Sequence, residues 1–133
     1  MYATTYAKAK DVADAVSQLK GADEGKLLAG GQTLIPTLKQ RLASSDCLID
    51  LSEAGLSGIS DEGGSIRIGA MTRHVEVETS ELVKKAIPAL ATLASGIGDR
   101  QVRNCGTIGG SVANNDPSAC YPSALLALDA TVH

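Results

Sequence analysis

The chain has 133 residues, 44% hydrophobic and 20% charged, with a formal net charge of -3 at pH 7; this is the composition of a folded domain with one core, not of a disordered chain. With no Phe, no Trp and three Tyr, that core has to be built from Leu, Ile, Val and Ala, the aromatic platforms that stack single-stranded nucleic acid are missing, and the acidic balance argues against a phosphate-backbone binder. No apolar run approaches the roughly 20 residues of a membrane span, and the start MYATTYAKAK lacks the apolar core of a secretory signal. The three cysteines, Cys47, Cys105 and Cys120, form no C-x-x-C pair. A cytoplasmic domain with reduced thiols is expected, without a disulfide framework or an iron–sulfur or zinc cage.

In chain order, DVADAVSQLKG (11–21) sets Val12, Val16 and Leu19 at helical spacing, with Asp11 placed to cap the start and Gly21 where a helix stops. KLLAG (26–30) is a short apolar strand, and GQT leads into LIPTLKQRLA, a helix with Pro36 in its first turn. CLIDL (47–51) is a second buried strand, so 26–51 is predicted to form a βαβ unit with parallel strands. After the turn residues DEGGS, SIRIGA (65–70) alternates as a half-buried strand. MTRHVEVETSELVKKA is mostly helical in composition, although Val75 and Val77 leave part of it ambiguous, and Pro88 opens an Ala/Leu-rich helix, PALATLASG, that Gly96 ends. From Gly96 to Pro122 the apolar residues are scattered without a sustained period. That stretch is expected to be a long structureless connection, which is uncommon inside a compact domain unless it is functional. PSALLALDA then reads as a helix and ATVH as the start of a strand with no partner after it; on that reading the chain is the N-terminal part of a larger domain.

Two stretches carry candidate chemistry. AGGQT (29–33) lies at a strand-to-helix junction, where paired glycines let a backbone approach a ligand closely and the N–H groups opening the next helix are free to bind an anion such as phosphate. A tight βα turn without a ligand is the competing reading, and for a lone Gly-Gly the commoner one. The Walker A pattern is absent, Lys39 falls well inside the predicted helix, and neither GGQTLI nor GIGDRQ satisfies G-x-G-x-x-G. TIGGS (107–111) offers the same chemistry as AGGQT, with the hydroxyls of Thr107 and Ser111 flanking Gly109 and Gly110, and two such loops could clamp the two phosphates of a pyrophosphate. ANNDP, taken alone, reads as an Asx turn ended by proline.

The combination of LLAGGQTLIPTLKQRLA, IDLSEAGLSGI, IRIGAMTRH and IGDRQVRNCGTIGGSVANNDPSACYPSALLALDATV resembles the FAD-binding subunit of the molybdenum hydroxylases, in particular the medium subunit of aerobic carbon monoxide dehydrogenases. More distantly it is similar to the FAD domain of xanthine dehydrogenases. The resemblance runs from about residue 8 to the end, and AGGQT followed at long range by RNCGTIGGS is its specific signature. It implies an α/β (α+β) fold of the PCMH-type FAD-binding class: a small N-terminal βαβ subdomain over about 1–55, the opening of a larger α+β subdomain over about 56–133, and FAD stretched between them. It further implies that the cofactor's pyrophosphate lies on Ala29, Gly30, Gly31, Gln32 and Thr33 and on Thr107, Ile108, Gly109, Gly110 and Ser111, that Ile97 lies beside the flavin, and that Asn114 lies on the cofactor-facing segment.

The family usually places an acid before the residue preceding proline, as in A-D-Y-P, where the carboxylate accepts hydrogen bonds from a cofactor hydroxyl. Here the residues are Ala119, Cys120, Tyr121 and Pro122. A thiol is a weak acceptor, and the lost charge-assisted bond is worth roughly 1.5–3 kcal/mol. Asp116 is near enough in sequence to raise the question of compensation. The activity implied is that of an oxidoreductase component: electrons from the [2Fe–2S] clusters of an iron–sulfur small subunit, drawn from substrate oxidised at a molybdopterin large subunit, pass through FAD to an external acceptor. With neither cluster cysteines nor a molybdenum site, the chain is not expected to act on substrate alone. Two alternatives stand beside this: another flavoenzyme of the same broad fold, such as a UDP-N-acetylenolpyruvoylglucosamine reductase, and a non-catalytic interaction module that no longer binds flavin. Among the remaining residues, His74 is read as a surface or helix-start histidine, Arg100 and Arg103 as solvated or loop-anchoring, Cys105 and Cys120 as buried small residues, and Glu76, Glu78 and Glu81 as a solvated face.

Overall fold

The computed structural model describes all 133 residues, Met1 to His133. They divide into two compact units, Met1–Leu56 and Ser57–His133.

In the first unit, strand β1 (Thr5–Lys8), helix α1 (Val12–Gly21), strand β2 (Lys26–Leu28), helix α2 (Leu34–Lys39) and strand β3 (Cys47–Asp50) follow one another. The sheet order is β1-β3-β2, and both pairings are parallel, with Tyr6 opposite Leu48 and Leu27 opposite Ile49. The predicted βαβ unit of parallel strands is therefore present. Asp11 caps α1 by accepting the Asp14 N–H at 2.7 Å, which satisfies one of the donors a helix start leaves open. Ala9, Ala15 and Ile49 are buried together, with Leu19, Cys47 and Leu51 packed against them. β1 is not legible in the sequence, because TYAK is a largely exposed edge strand with little apolar pattern; it is held by bonds from Thr5 N–H to Asp46 O and from Ala9 N–H to Asp50 O. α2 is shorter than predicted. Arg41 takes a left-handed conformation (φ 58°), and bonds from Arg41 N–H to Leu38 O and Leu42 N–H to Thr37 O close the helix in a Schellman motif.

In the second unit, β4 (Ile59–Asp61) and β5 (Ile66–Ile68) form an antiparallel hairpin around Gly63 and Gly64, both at positive φ. Six helices follow: α3 (His74–Thr79), α4 (Glu81–Ala86), α5 (Pro88–Ser95), α6 (Arg100–Cys105), α7 (Ile108–Asn114) and α8 (Cys120–Ala127). MTRHVEVETSELVKKA is thus helical but broken at Ser80, whose hydroxyl accepts the Val83 N–H and starts a second helix. Pro88 opens α5 and Gly96 ends it, as the sequence predicts. The core gathers Val77, Val83, Leu90, Ala91, Ala94, Ile108 and Tyr121.

Two expectations are corrected here. Residues 96–122 are not a structureless connection, for they hold α6 and α7, each capped at its start: Asp99 accepts from Val102 N–H at 2.8 Å, and Thr107 Oγ1 from Gly110 N–H at 3.1 Å. Helices of six and seven residues make fewer than two turns, too few for a 3.6-residue apolar period to show. ATVH is not a strand; Ala130 to His133 carry no regular structure and are exposed.

Candidate cofactor site

The first glycine turn leaves β2 and enters α2. Gly31 sits at φ 68°, a region L side chains rarely adopt, and a Cβ there would lie 3.0 Å from Ile35 Cγ1. The turn is held by its carbonyls: Gly31 O accepts from Ile35 N–H at 3.2 Å and Gly30 O from the Gln32 side-chain amide at 3.1 Å. Its donors are left over, since the N–H groups of Gly30, Gly31, Gln32 and Thr33 have no acceptor in the chain. Ala29, Gly30 and Gly31 are half-buried, while Gln32 and Thr33 are exposed. Beside the turn is an open depression of about 430 Å³ lined by Gly31, Gln32, Ile35, Pro36, Lys39 and Gln40. Lys39, expected well inside the helix and set aside with the Walker A pattern, instead lines this depression. It ends α2, and its spacing of four from Ile35 and three from Pro36 puts it on the depression's side of the helix.

The second glycine pair is built differently. Ile108 N–H donates to Thr72 O (3.0 Å), Gly109 N–H to Ala70 O (2.8 Å), Gly110 N–H to Thr107 Oγ1 (3.1 Å) and Ser111 N–H to Thr107 O (3.1 Å). The expectation that TIGGS shares the donor chemistry of AGGQT is corrected: these N–H groups are committed inside the fold. Thr107 and Ile108 are buried, and Gly109, Gly110 and Ser111 are half-buried. A Cβ on Gly109 would lie 2.6 Å from Ala70 O, so this glycine is required by the approach of one backbone to another. What this segment can offer a ligand is therefore its side chains and glycine surface.

Downstream, Asn114 and Cys120 are exposed, the first near the end of α7 and the second opening α8. Asp116 closes a local Asx turn, accepting from the Ser118 hydroxyl at 2.7 Å and the Ser118 N–H at 2.8 Å. These bonds hold its carboxyl below the ordinary range. Cys105 and Cys120 are exposed free thiols, not the buried small residues expected, because both stand at helix ends outside the packed face.

Ile97 is half-buried and packs against the core of this unit. Its turn is gripped by Arg103, whose Nε donates to Glu78 Oε2 at 2.9 Å and whose Nη1 donates to Gly98 O at 3.1 Å and Ile97 O at 3.4 Å. Arg103 is thus loop-anchoring, as expected, and Glu78 is withdrawn from the solvated acidic face. His74 is a helix-start residue but not a surface one: it is 5% exposed, its Nδ1 has no partner, and its ring lies 5.3 Å from that of Tyr121. Burial holds the imidazole below its ordinary pKa and pushes the Tyr121 phenol well above its own.

Comparison with known proteins decides the family. Residues 2–133 match the family model described as the FAD binding domain in molybdopterin dehydrogenase. The chain belongs to that family. The resemblance carried by AGGQT and RNCGTIGGS is borne out, and the family's cofactor is FAD. The chain is 39% identical over 129 residues to the glyceraldehyde dehydrogenase medium chain of Sulfolobus acidocaldarius, covering 96% of this chain and 46% of that one. Its fold matches a solved structure of carbon monoxide dehydrogenase from Hydrogenophaga pseudoflava with a TM-score of 0.90 at 41% identity, over 92% of this chain and 44% of that one. Quinoline 2-oxidoreductase from Pseudomonas putida gives a TM-score of 0.90 at 33% identity, over 93% and 44%. The mixed α/β architecture is thus that of an FAD-binding domain of the molybdopterin dehydrogenases, and the chain spans less than half the length of these relatives. No helix is long and apolar enough to cross a membrane.

The first turn has open donors of the kind that fit the pyrophosphate of FAD. Four N–H groups without acceptors, next to a lysine, suit a pyrophosphate, which is an anion rich in acceptor oxygens. In the second unit the exposed Asn114 amide and the Ser111 hydroxyl suit the cofactor's polar groups, while the Cys120 thiol is a poor acceptor for a hydroxyl.

Proposed function

We propose that this chain binds FAD as the flavin domain of a molybdenum hydroxylase and relays electrons from a partner's [2Fe–2S] clusters to an external acceptor. The observation that supports this most is the set of unsatisfied N–H donors from Gly30 to Thr33 beside Lys39, in a domain whose family is defined by FAD. In this reading the backbone of Gly30–Thr33 and the Lys39 ammonium hold the pyrophosphate. Ala29 lets the chain enter the turn, and Gly109–Ser111, Asn114 and Cys120 line the cofactor's course in the second unit, with the buried Thr107 and Ile108 anchoring that segment in the core and Ile97 against the flavin ring. FAD, when bound, supplies the redox chemistry, and the chain's residues bind, orient and shield it.

The partners in this reading are an iron–sulfur small subunit and a molybdopterin large subunit, since relatives described as medium chains or medium subunits are named for multi-subunit dehydrogenases and hydroxylases. Those relatives are named for substrates as different as glyceraldehyde, nicotine and carbon monoxide. Substrate choice is therefore assigned to the molybdopterin partner. A second reading, an interaction module that no longer binds flavin, is favoured by the thiol of Cys120 where the resemblance expects an acid.

Recording the visible spectrum of the purified protein with and without added FAD separates the two. A saturable flavin absorbance is expected, and a colourless protein that takes up no FAD defeats the first reading. Co-purification with iron–sulfur and molybdopterin subunits is the expected outcome for the relay.

A further inference from the structure

We propose that Arg103 is the positioning residue that fixes the Ile97–Gly98 turn, and with it the Ile97 side chain, against the flavin ring; this rests on the FAD reading above. The Ile97 and Gly98 carbonyls have no donor in the chain other than Arg103 Nη1, at 3.4 and 3.1 Å. The same guanidinium is held at Nε by Glu78 of α3 at 2.9 Å, and the two side chains are only 17% and 28% exposed. The turn is thereby tied to a helix other than the one it leads into. Its shape is preset at both ends. Gly98 stands at φ 54°, where a Cβ would lie 2.9 Å from Val102 Cγ1, and Asp99 caps α6 through the Val102 N–H. Three donors in one rigid plane meet a carboxylate and two adjacent carbonyls, a geometry that an ammonium, a single point of charge, does not reproduce.

Arg103 therefore acts on the part of the cofactor nearest Ile97 and not on the pyrophosphate, and ligands that differ in that part separate the two. ADP carries FAD's adenosine and two phosphates without the flavin ring. Titration calorimetry of the wild-type chain, Arg103→Gln and Arg103→Lys with FAD and with ADP, together with the visible circular dichroism of bound FAD, gives the test. Both variants are expected to bind FAD about tenfold more weakly, about 1.4 kcal/mol, to keep ADP affinity within about twofold, and to change the flavin's dichroism. Arg103→Lys tests the fork with the charge retained and stands in if the Gln variant does not fold. Equal weakening of FAD and ADP, or no weakening of either, overturns the proposal while leaving the FAD reading intact. A wild-type chain that binds no FAD overturns both.

Discussion

Gly109 and Ala70 meet backbone to backbone. The Gly109 N–H donates to the Ala70 carbonyl at 2.8 Å, and a methyl group at position 109 would lie 2.6 Å from that same oxygen. The start of α7 is thus pressed onto the end of the β4–β5 hairpin, and the contact leaves no room for a side chain.

Gly109→Ala is therefore expected to destabilise the second unit by about 1–3 kcal/mol, the usual cost of forcing an extra carbon into a filled space. Chemical denaturation of the cofactor-free protein checks this. An unchanged unfolding midpoint would show that the hairpin yields and that the glycine is there for the ligand alone.

Cys120 opens α8 and is exposed. Cys120→Asp is expected to tighten FAD binding by about tenfold or more, because a carboxylate hydrogen bond is worth roughly 1.5–3 kcal/mol where a thiol offers little. FAD titration of the two proteins decides it, and equal dissociation constants would remove position 120 from the cofactor's reach.

His74 gives the second unit a pH dependence with a defined sign. Burial lowers its folded pKa beneath the unfolded value of about 6.5, so the folded state binds fewer protons. The stability this contributes is complete above pH ~6.5 and declines as pH falls toward the folded pKa, by at most about 1.4 kcal/mol per pH unit. The carboxyls of Asp14 and Asp116, held low by hydrogen bonds from the Lys10 backbone and from Ser118, lose their contributions only below about pH 4. Urea unfolding between pH 5 and 7 should show the slope in the wild-type chain and a flatter profile in His74→Gln.

The phenol of Tyr121 is fully buried and its hydroxyl has no partner. Tyr121→Phe is expected to leave stability unchanged or raise it slightly, because it removes an unpaired polar atom and keeps the ring. Tyr121→Ala should cost about 3–5 kcal/mol through the cavity it opens. A destabilised Phe variant in thermal denaturation would mean that the hydroxyl has a bonding partner after all.

The sequence is legible where elements are capped or carry an apolar run. Asp11, Pro88 and Gly96 mark helix ends that the structure shows, and KLL and CLID pair as parallel strands. It is illegible where a strand is exposed or a helix is shorter than two turns. β1 is an exposed edge strand, β4 (ISD) carries a single apolar residue, and α6 and α7 leave no room for a helical period to repeat. The glycine pairs are recognisable as motifs, but AGGQT and TIGGS look alike on paper and differ in a property set by distant residues. Ala70 O takes the Gly109 N–H and Thr72 O the Ile108 N–H just before it, and nothing adjacent to position 109 in sequence announces it. Arg103 and Glu78 are likewise 25 residues apart.

That difference separates two kinds of constraint on the same dipeptide. The N–H groups of Gly30 and Gly31 stay open, so that stretch answers to whatever anion it meets. Gly109 answers to the polypeptide itself. In a library selected only for folding, position 109 is held as firmly as if the cofactor were still under selection.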